Sequence, residues 1–267
     1  MSASLDKIKL HGKSHAIEVA EFVITFGVAI DSSDVARLDD RRDILSVDFP
    51  AIEEPQSFQI AFGLGHAPAP LQVRHLTYFG NDGKPIWVAQ FAQNQLSLSC
   101  HKYTKWEEVW PEASKRLNML LDCVDEFKPV LALDYKVTDT FRCPVQERVL
   151  LSSNIFVKSK LIPDFLLEFD DPRWDLSHGR FREKFDNGEV LERIEATSVI
   201  ENDLAVVRIS NLQSFRFEPH LRLKAARIGG DGSQLDTVFS KLHDDNKITL
   251  RSILDNRLGR KMGLIDV

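Results

Sequence analysis

The chain has 267 residues, 43% of them hydrophobic and 28% charged, with a net charge of −6. That length suits one large domain or two moderate ones, and the composition excludes a disordered chain. The acidic balance argues against a dedicated duplex-DNA binder, whose footprint is basic.

Residues 1–15 hold no apolar core of a signal peptide. No run approaches the ~20 apolar residues of a membrane helix. A cytoplasmic protein with no membrane role is expected.

Ile17, Val19, Phe22, Ile24, Phe26, Val28 and Ile30 recur largely at period two and predict a strand with one solvated face. Val35 to Asp43 reads as a short charged helix or a loop. Phe58, Ile60, Phe62 and Leu64 predict a second strand, and Val73 to Phe79 a third. Asn81-Asp82-Gly83-Lys84 is a hairpin signal, because Asp-Gly supplies positive φ angles. Trp87, Ala89 and Phe91 then return, followed by Leu96, Leu98 and Cys100.

A long helix follows, from about 104 to 127, with Thr104 and Glu107 in capping-box spacing. Trp106, Trp110, Ala113, Leu117, Leu120, Leu121, Val124 and Phe127 form its apolar face. Continuous from 105 to 127, it would span ~35 Å. Pro111 lies in its opening turns and predicts a kink or a short preceding turn. After Pro129, Leu131 to Val137 predicts another strand.

Arg142-Cys143-Pro144-Val145 is the best candidate boundary. Beyond it, Val149 to Ile162, Phe181 to Phe185, Val190 to Ile200, Leu204 to Ile209 and Phe215 to Leu223 read as strands. Asp170-Asp171-Pro172-Arg173, Asp186-Asn187-Gly188 and Glu201-Asn202-Asp203 read as turns. Ser233 with Asp236 caps a helix bearing Leu235, Val238, Phe239 and Leu242, and a last helix covers Leu250 to Met262. The expected fold is α+β: antiparallel sheets in two halves, each followed by packed helices, near 104–127 and near 233–262. The halves are 1–142 and 143–267, or one continuous domain.

Chemistry leaves fewer marks. Cys100, Cys123 and Cys143 are odd in number and form no C-x-x-C pair, so reduced, partly buried thiols are expected. No histidine pattern has metal-ligand spacing, and no serine sits in a nucleophile elbow. Gly229-Gly230-Asp231-Gly232 lacks the lysine of a phosphate loop and reads as a connector. His101 at a strand-to-helix junction suits a backbone hydrogen bond, and His243 suits a helix C-terminus. The paired carboxylates Asp39-Asp40, Glu53-Glu54 and Asp170-Asp171 fit solvated turns. Trp106 and Trp110, one turn apart, fit core packing. Basic residues gather in the last quarter: Arg216, Arg222, Lys224 and Arg227, then Arg251, Arg257, Arg260 and Lys261. The last four are the candidate binding residues.

The Leu96-Ser97-Leu98-Ser99-Cys100 to Tyr103-x-x-Trp106 junction, the strand Leu131 to Tyr135, and the tail from Leu242-His243 to Gly259-x-x-x-Gly263 resemble a sporadically distributed bacterial family of uncharacterised proteins near 260 residues. The resemblance covers almost the whole chain and supplies no catalytic residues. A patchy distribution implies horizontally spread accessory genes, such as toxin–antitoxin pairs or phage defence. The expected function is therefore a non-enzymatic binding or regulatory protein that recognises a protein partner, with no cofactor, metal or catalytic residue. Two alternatives stand beside it. One is a nucleic-acid-associated module using the C-terminal basic surface. The other is an enzyme with a site assembled from distant residues around His101, Arg173 and His178.

Overall fold

The computed structural model describes residues 7–12, 15–54, 74–147, 152–168, 171–182, 188–227 and 233–265. They form a mixed α+β structure with a large antiparallel sheet. The first part runs β1 (Lys9–Leu10), β2 (Ile17–Phe26), α1 (Ser32–Asp40), α2 (Arg42–Asp48) and β3 (Ala51–Glu53). Then come β4 (Arg74–Phe79), β5 (Pro85–Ala92), β6 (Gln95–Cys100), α3 (Trp106–Leu121) and β7 (Pro129–Pro144). The short helices α4 (Ser152–Ile155) and α5 (Asp164–Leu167) precede β8 (Trp174–Phe181), β9 (Gly188–Glu201) and β10 (Leu204–Arg222). The helices α6 (Leu223–Ala226), α7 (Gln234–Ile253) and α8 (Asn256–Lys261) end the order.

The chain divides into two compact units, each discontinuous in sequence. One comprises Glu21–Leu133 and Pro219–Thr237; the other comprises Met1–Ala20, Asp134–Glu218 and Val238–Val267. We call them the meander unit and the hairpin unit.

In the meander unit the strand order is β3-β4-β5-β6-β2. Trp87 stands opposite Cys100, and Phe91 opposite Leu96. These are the inward positions that the period-two pattern picked out, and all four are buried. A turn does join β4 and β5, but of the Asp-Gly pair only Gly83 takes a positive φ, +75°, and the Gly80 amide donates to Lys84 at 2.8 Å. On β2 the buried face is Ala20, Phe22, Ile24 and Phe26, while Ile17 and Val19 are half-buried and Val28 lies exposed beyond the strand. The expected run Phe58 to Leu64 lies outside the described residues.

The long helix is shorter than its apolar pattern implied. It covers 16 residues, ~24 Å, and Phe127 is exposed. Pro111 sits inside it without ending it. The capping box at Thr104 and Glu107 does not form. The N-cap is Lys105 with no side-chain cap, and the carboxylate three residues on is Glu108, paired with Lys105 at 3.1 Å. Trp106 and Trp110 stack on each other, 5.2 Å apart and nearly parallel, with Phe22 beneath both. The Trp110 indole donates to Asp236 at 2.7 Å, which satisfies the polar atom of an otherwise apolar anchor.

The hairpin unit orders its strands β7-β10-β9-β8, with β1 beside β7. Asn202 and Asp203 take positive φ angles in the two-residue turn between β9 and β10, conformations that Asn and Asp tolerate. The runs Leu204 to Ile209 and Phe215 to Leu223 prove to be one 19-residue strand. Ile194, Val207, Ile209, Phe141, Leu250 and Ile253 belong to one buried cluster. Polar groups fix α7 there too. Asn211 and Asn246 exchange amide hydrogen bonds at 2.9 and 3.0 Å, and buried Glu192 accepts from Thr249 and from Arg180.

Three expectations fail in this unit. Of the run Val149 to Ile162, the described residues 152–162 hold no strand: Ser152–Ile155 is helical, and Phe156 makes only an isolated bridge to Leu254. The buried apolar residues described there come in pairs, Ile155-Phe156 and Leu161-Ile162, and pairs fill a core corner without alternating. The last helix is broken at Leu254-Asp255, where α7 ends and Asp255 caps α8 by accepting from the Arg257 amide. His243 is therefore mid-helix, not at a C-terminus. It is buried against the Tyr135 ring, and burial together with Lys247 pushes its imidazole down to about 3. Of the strand expected from Phe181 to Phe185, Phe181 ends β8, and residues 183–187 lie outside the described set. The Gly229 to Gly232 connector is outside it as well. Ser233 does cap α7, its hydroxyl accepting from the Asp236 amide at 3.3 Å.

Candidate functional site

The capping box that sequence placed at α3 occurs instead at α1. Asp31 accepts from the amides of Ser33 and Asp34, and Asp34 accepts from the Asp31 amide at 3.0 Å. The Ser33 hydroxyl and Lys128 hold the Asp31 carboxyl well below the usual carboxylate range.

That cap is tied to the turn after α3. The Lys128 ammonium, 6% exposed, donates to Asp31 at 3.1 Å, Asp34 at 3.0 Å and the Ala29 carbonyl at 2.9 Å. Burial opposes its charge, but the hydrogen bonds to Asp34 and Asp31 prevail and raise its pKa. Asp34, 1% exposed, also accepts from the Asp125 amide and from Arg37. A buried lysine–aspartate pair with its remaining bonding positions filled thus fixes α1 against residues 122–128.

Fixed in this way, α1 presents Arg37 and Arg41, four residues apart and so on one helical face, to an open cleft of about 310 Å³. Arg227, which follows α6, enters from another chain segment, while Leu121, Val124 and Leu223 provide apolar wall. Arg41 and Arg227 converge on one carboxylate, that of Asp122: Arg41 donates to one oxygen at 3.1 Å and Arg227 to the other. Asp125 and Glu126 also line the cleft. Asp125 accepts from the Phe127 amide, and Glu126 pairs with Lys224. Each guanidinium carries five N–H donors. Among the described residues, the hydrogen bonds use one side-chain nitrogen of each: Arg37 on Asp34, and Arg41 and Arg227 on Asp122.

Comparison of the chain with protein-family models, with curated proteins and with solved structures finds no match. The reading of this site therefore rests on its own geometry.

The four candidate residues chosen from sequence lie in the hairpin unit. Arg251 is exposed and donates to the Leu264 carbonyl, and Arg257 is exposed and pairs with Asp255 at 2.9 Å. Arg260 is exposed and Lys261 half-buried, both in the last turn of α8, where cations suit the helix dipole. His101, in the meander unit, is exposed, with its amide bonded to the Ile86 carbonyl. Arg173 and His178 belong to the hairpin unit, where Arg173 forks onto Asp171. All three cysteines are buried and none is in a disulfide, and burial pushes Cys100 and Cys123 up to about 11. Among the described residues no group of three or more His, Cys, Asp or Glu is placed to hold a metal ion. No described helix is long and apolar enough to cross a membrane.

Arg37 and Arg41 were missed because residues 35–43 read only as a charged segment. The available signal was D-x-x-D at 31–34 followed by arginines at 37 and 41. That spacing caps a helix and sets two guanidiniums on one face.

Proposed function

We propose that the protein is a non-enzymatic cytoplasmic binding protein that recognises a protein partner through the arginine-lined cleft of the meander unit. The observation carrying this reading is the convergence of Arg41 and Arg227, from separate chain segments, on one carboxylate at a cleft that Arg37 also lines. Arginine forks bind carboxylates with defined geometry. A regulatory or neutralising role, of the kind filled by antitoxins or phage-defence accessory proteins, belongs to the same proposal. So do membership of the patchily distributed bacterial family and an organisation in two sheet-then-helix halves.

The test uses the full-length chain as bait in its native host, beside the double variant R41E/R227E. A protein recovered with the wild type, identified by mass spectrometry and rebound in purified form, is expected to be lost with the variant. Equal recovery by both would remove the cleft from recognition. Salt-dependent binding of nucleic acid that disappears in R257Q/R260Q would favour the alternative based on Arg251, Arg257, Arg260 and Lys261.

A further inference from the structure

We propose that Asp122 is an internal stand-in for a partner carboxylate, so that the cleft takes an acidic segment of a polypeptide whose glutamate or aspartate displaces Asp122 from Arg41 and Arg227. The proposal rests on the cleft being the recognition site.

Helix stability does not account for Asp122. It is the C-cap of α3, at the negative end of the helix dipole, where a carboxylate is unfavourable and a cation is favoured. The last turn of α3 supplies no basic side chain. The two arginines come instead from the end of α1 and from beyond α6, and they meet a carboxylate set between them.

The contact is also easily exchanged. Arg41, Arg227 and Asp122 are 43%, 38% and 39% exposed. Ion pairs this accessible are weak, because water and salt compete for both partners. Exchange of one carboxylate for another keeps a carboxylate on both guanidiniums, while the displaced Asp122, already 39% exposed, is taken up by water. A ligand carboxylate that forks onto a guanidinium uses donors which Asp122, one oxygen to each arginine, leaves over. The other lining carboxylates are already engaged, Asp125 by the Phe127 amide and Glu126 by Lys224. A volume of about 310 Å³ is at the small end of ligand sites, which fits side chains of a peptide rather than a large cofactor.

The test is fluorescence anisotropy of a labelled hexaglutamate peptide with the full-length protein at low ionic strength. It compares wild type, D122N, R41Q/R227Q and R257Q/R260Q, each checked for folding by circular dichroism. Removing the competing carboxylate is expected to tighten peptide binding about tenfold in D122N. Binding is expected to be abolished in R41Q/R227Q and unchanged in R257Q/R260Q. Wild-type binding that is lost in R41Q/R227Q but not tightened in D122N would overturn the stand-in role alone. Loss in R257Q/R260Q, or no binding by any variant, would overturn the cleft reading with it. Inorganic phosphate displacing the peptide at far lower concentration than acetate would overturn the assignment of a carboxylate ligand.

Discussion

Replacing Lys128 with methionine is expected to destabilise the protein by about 3 kcal/mol, measured by urea unfolding at pH 7. Methionine keeps most of the stem volume, so the loss isolates the charge. Removing one partner of a buried pair costs roughly 3–5 kcal/mol, because the other charge stays buried without it. The lower end applies here, since Asp34 keeps the Asp31 and Asp125 amides and Arg37. In K128M/D34N the stranded charge is gone, and part of the stability is expected to return. The coupling reports how firmly α1 is held to residues 122–128, and with it the position of Arg37 and Arg41 at the cleft. A loss in K128M below about 1 kcal/mol, the range of a surface pair, would show that the Lys128–Asp34 contact does not hold this corner.

Asp139→Asn is expected to change the pH dependence of stability by roughly 4 kcal/mol between pH 4 and 8. Asp139 lies in β7, 1% exposed, and neither carboxyl oxygen has a hydrogen-bond partner among the described residues. Burial raises its carboxyl from 3.8 to about 7. The folded state therefore binds this proton more tightly than the unfolded chain does. The protonated group costs least below pH 4, and stability is lost as pH rises from about 4 to about 7. Asparagine holds a similar shape without ionising, so the variant is expected to be the more stable form at pH 8 and to lack the decline. His243 works in the opposite direction, since it is held neutral in the fold and costs stability as pH falls below about 6.5. Subtracting the two unfolding profiles cancels that contribution. Parallel profiles for wild type and variant would show that Asp139 does not titrate in this window.

Sequence pattern carried the sheet where inward residues were large. Trp87, Phe91, Leu96 and Leu98 mark their face unambiguously, and Asp-Gly marks its turn. Around β2 the pattern misled at one end. The buried face continues through Ala16 and Ala20, which are too small to stand out, so Ile17 and Val19 appeared to lead it. The α3 cap slipped by one residue because Thr104-x-x-Glu107 and Lys105-x-x-Glu108 overlap. Only the backbone decides between them. The cleft was out of reach for another reason. Arg41, Asp122 and Arg227 are separated by 81 and 105 residues, and no local spacing announces such a meeting. The basic residues that do cluster in sequence, Arg251 and Arg257, are bonded to their own neighbourhood.

The most direct measurement is a side-chain arginine nuclear magnetic resonance spectrum of the full-length protein during titration with the hexaglutamate peptide. The Nε–Hε signals of Arg41 and Arg227 are expected to move together and saturably, while those of Arg251 and Arg257 stay in place. Movement confined to Arg251, Arg257 and Arg260, with Arg41 and Arg227 unaffected, would contradict the assignment of recognition to the cleft.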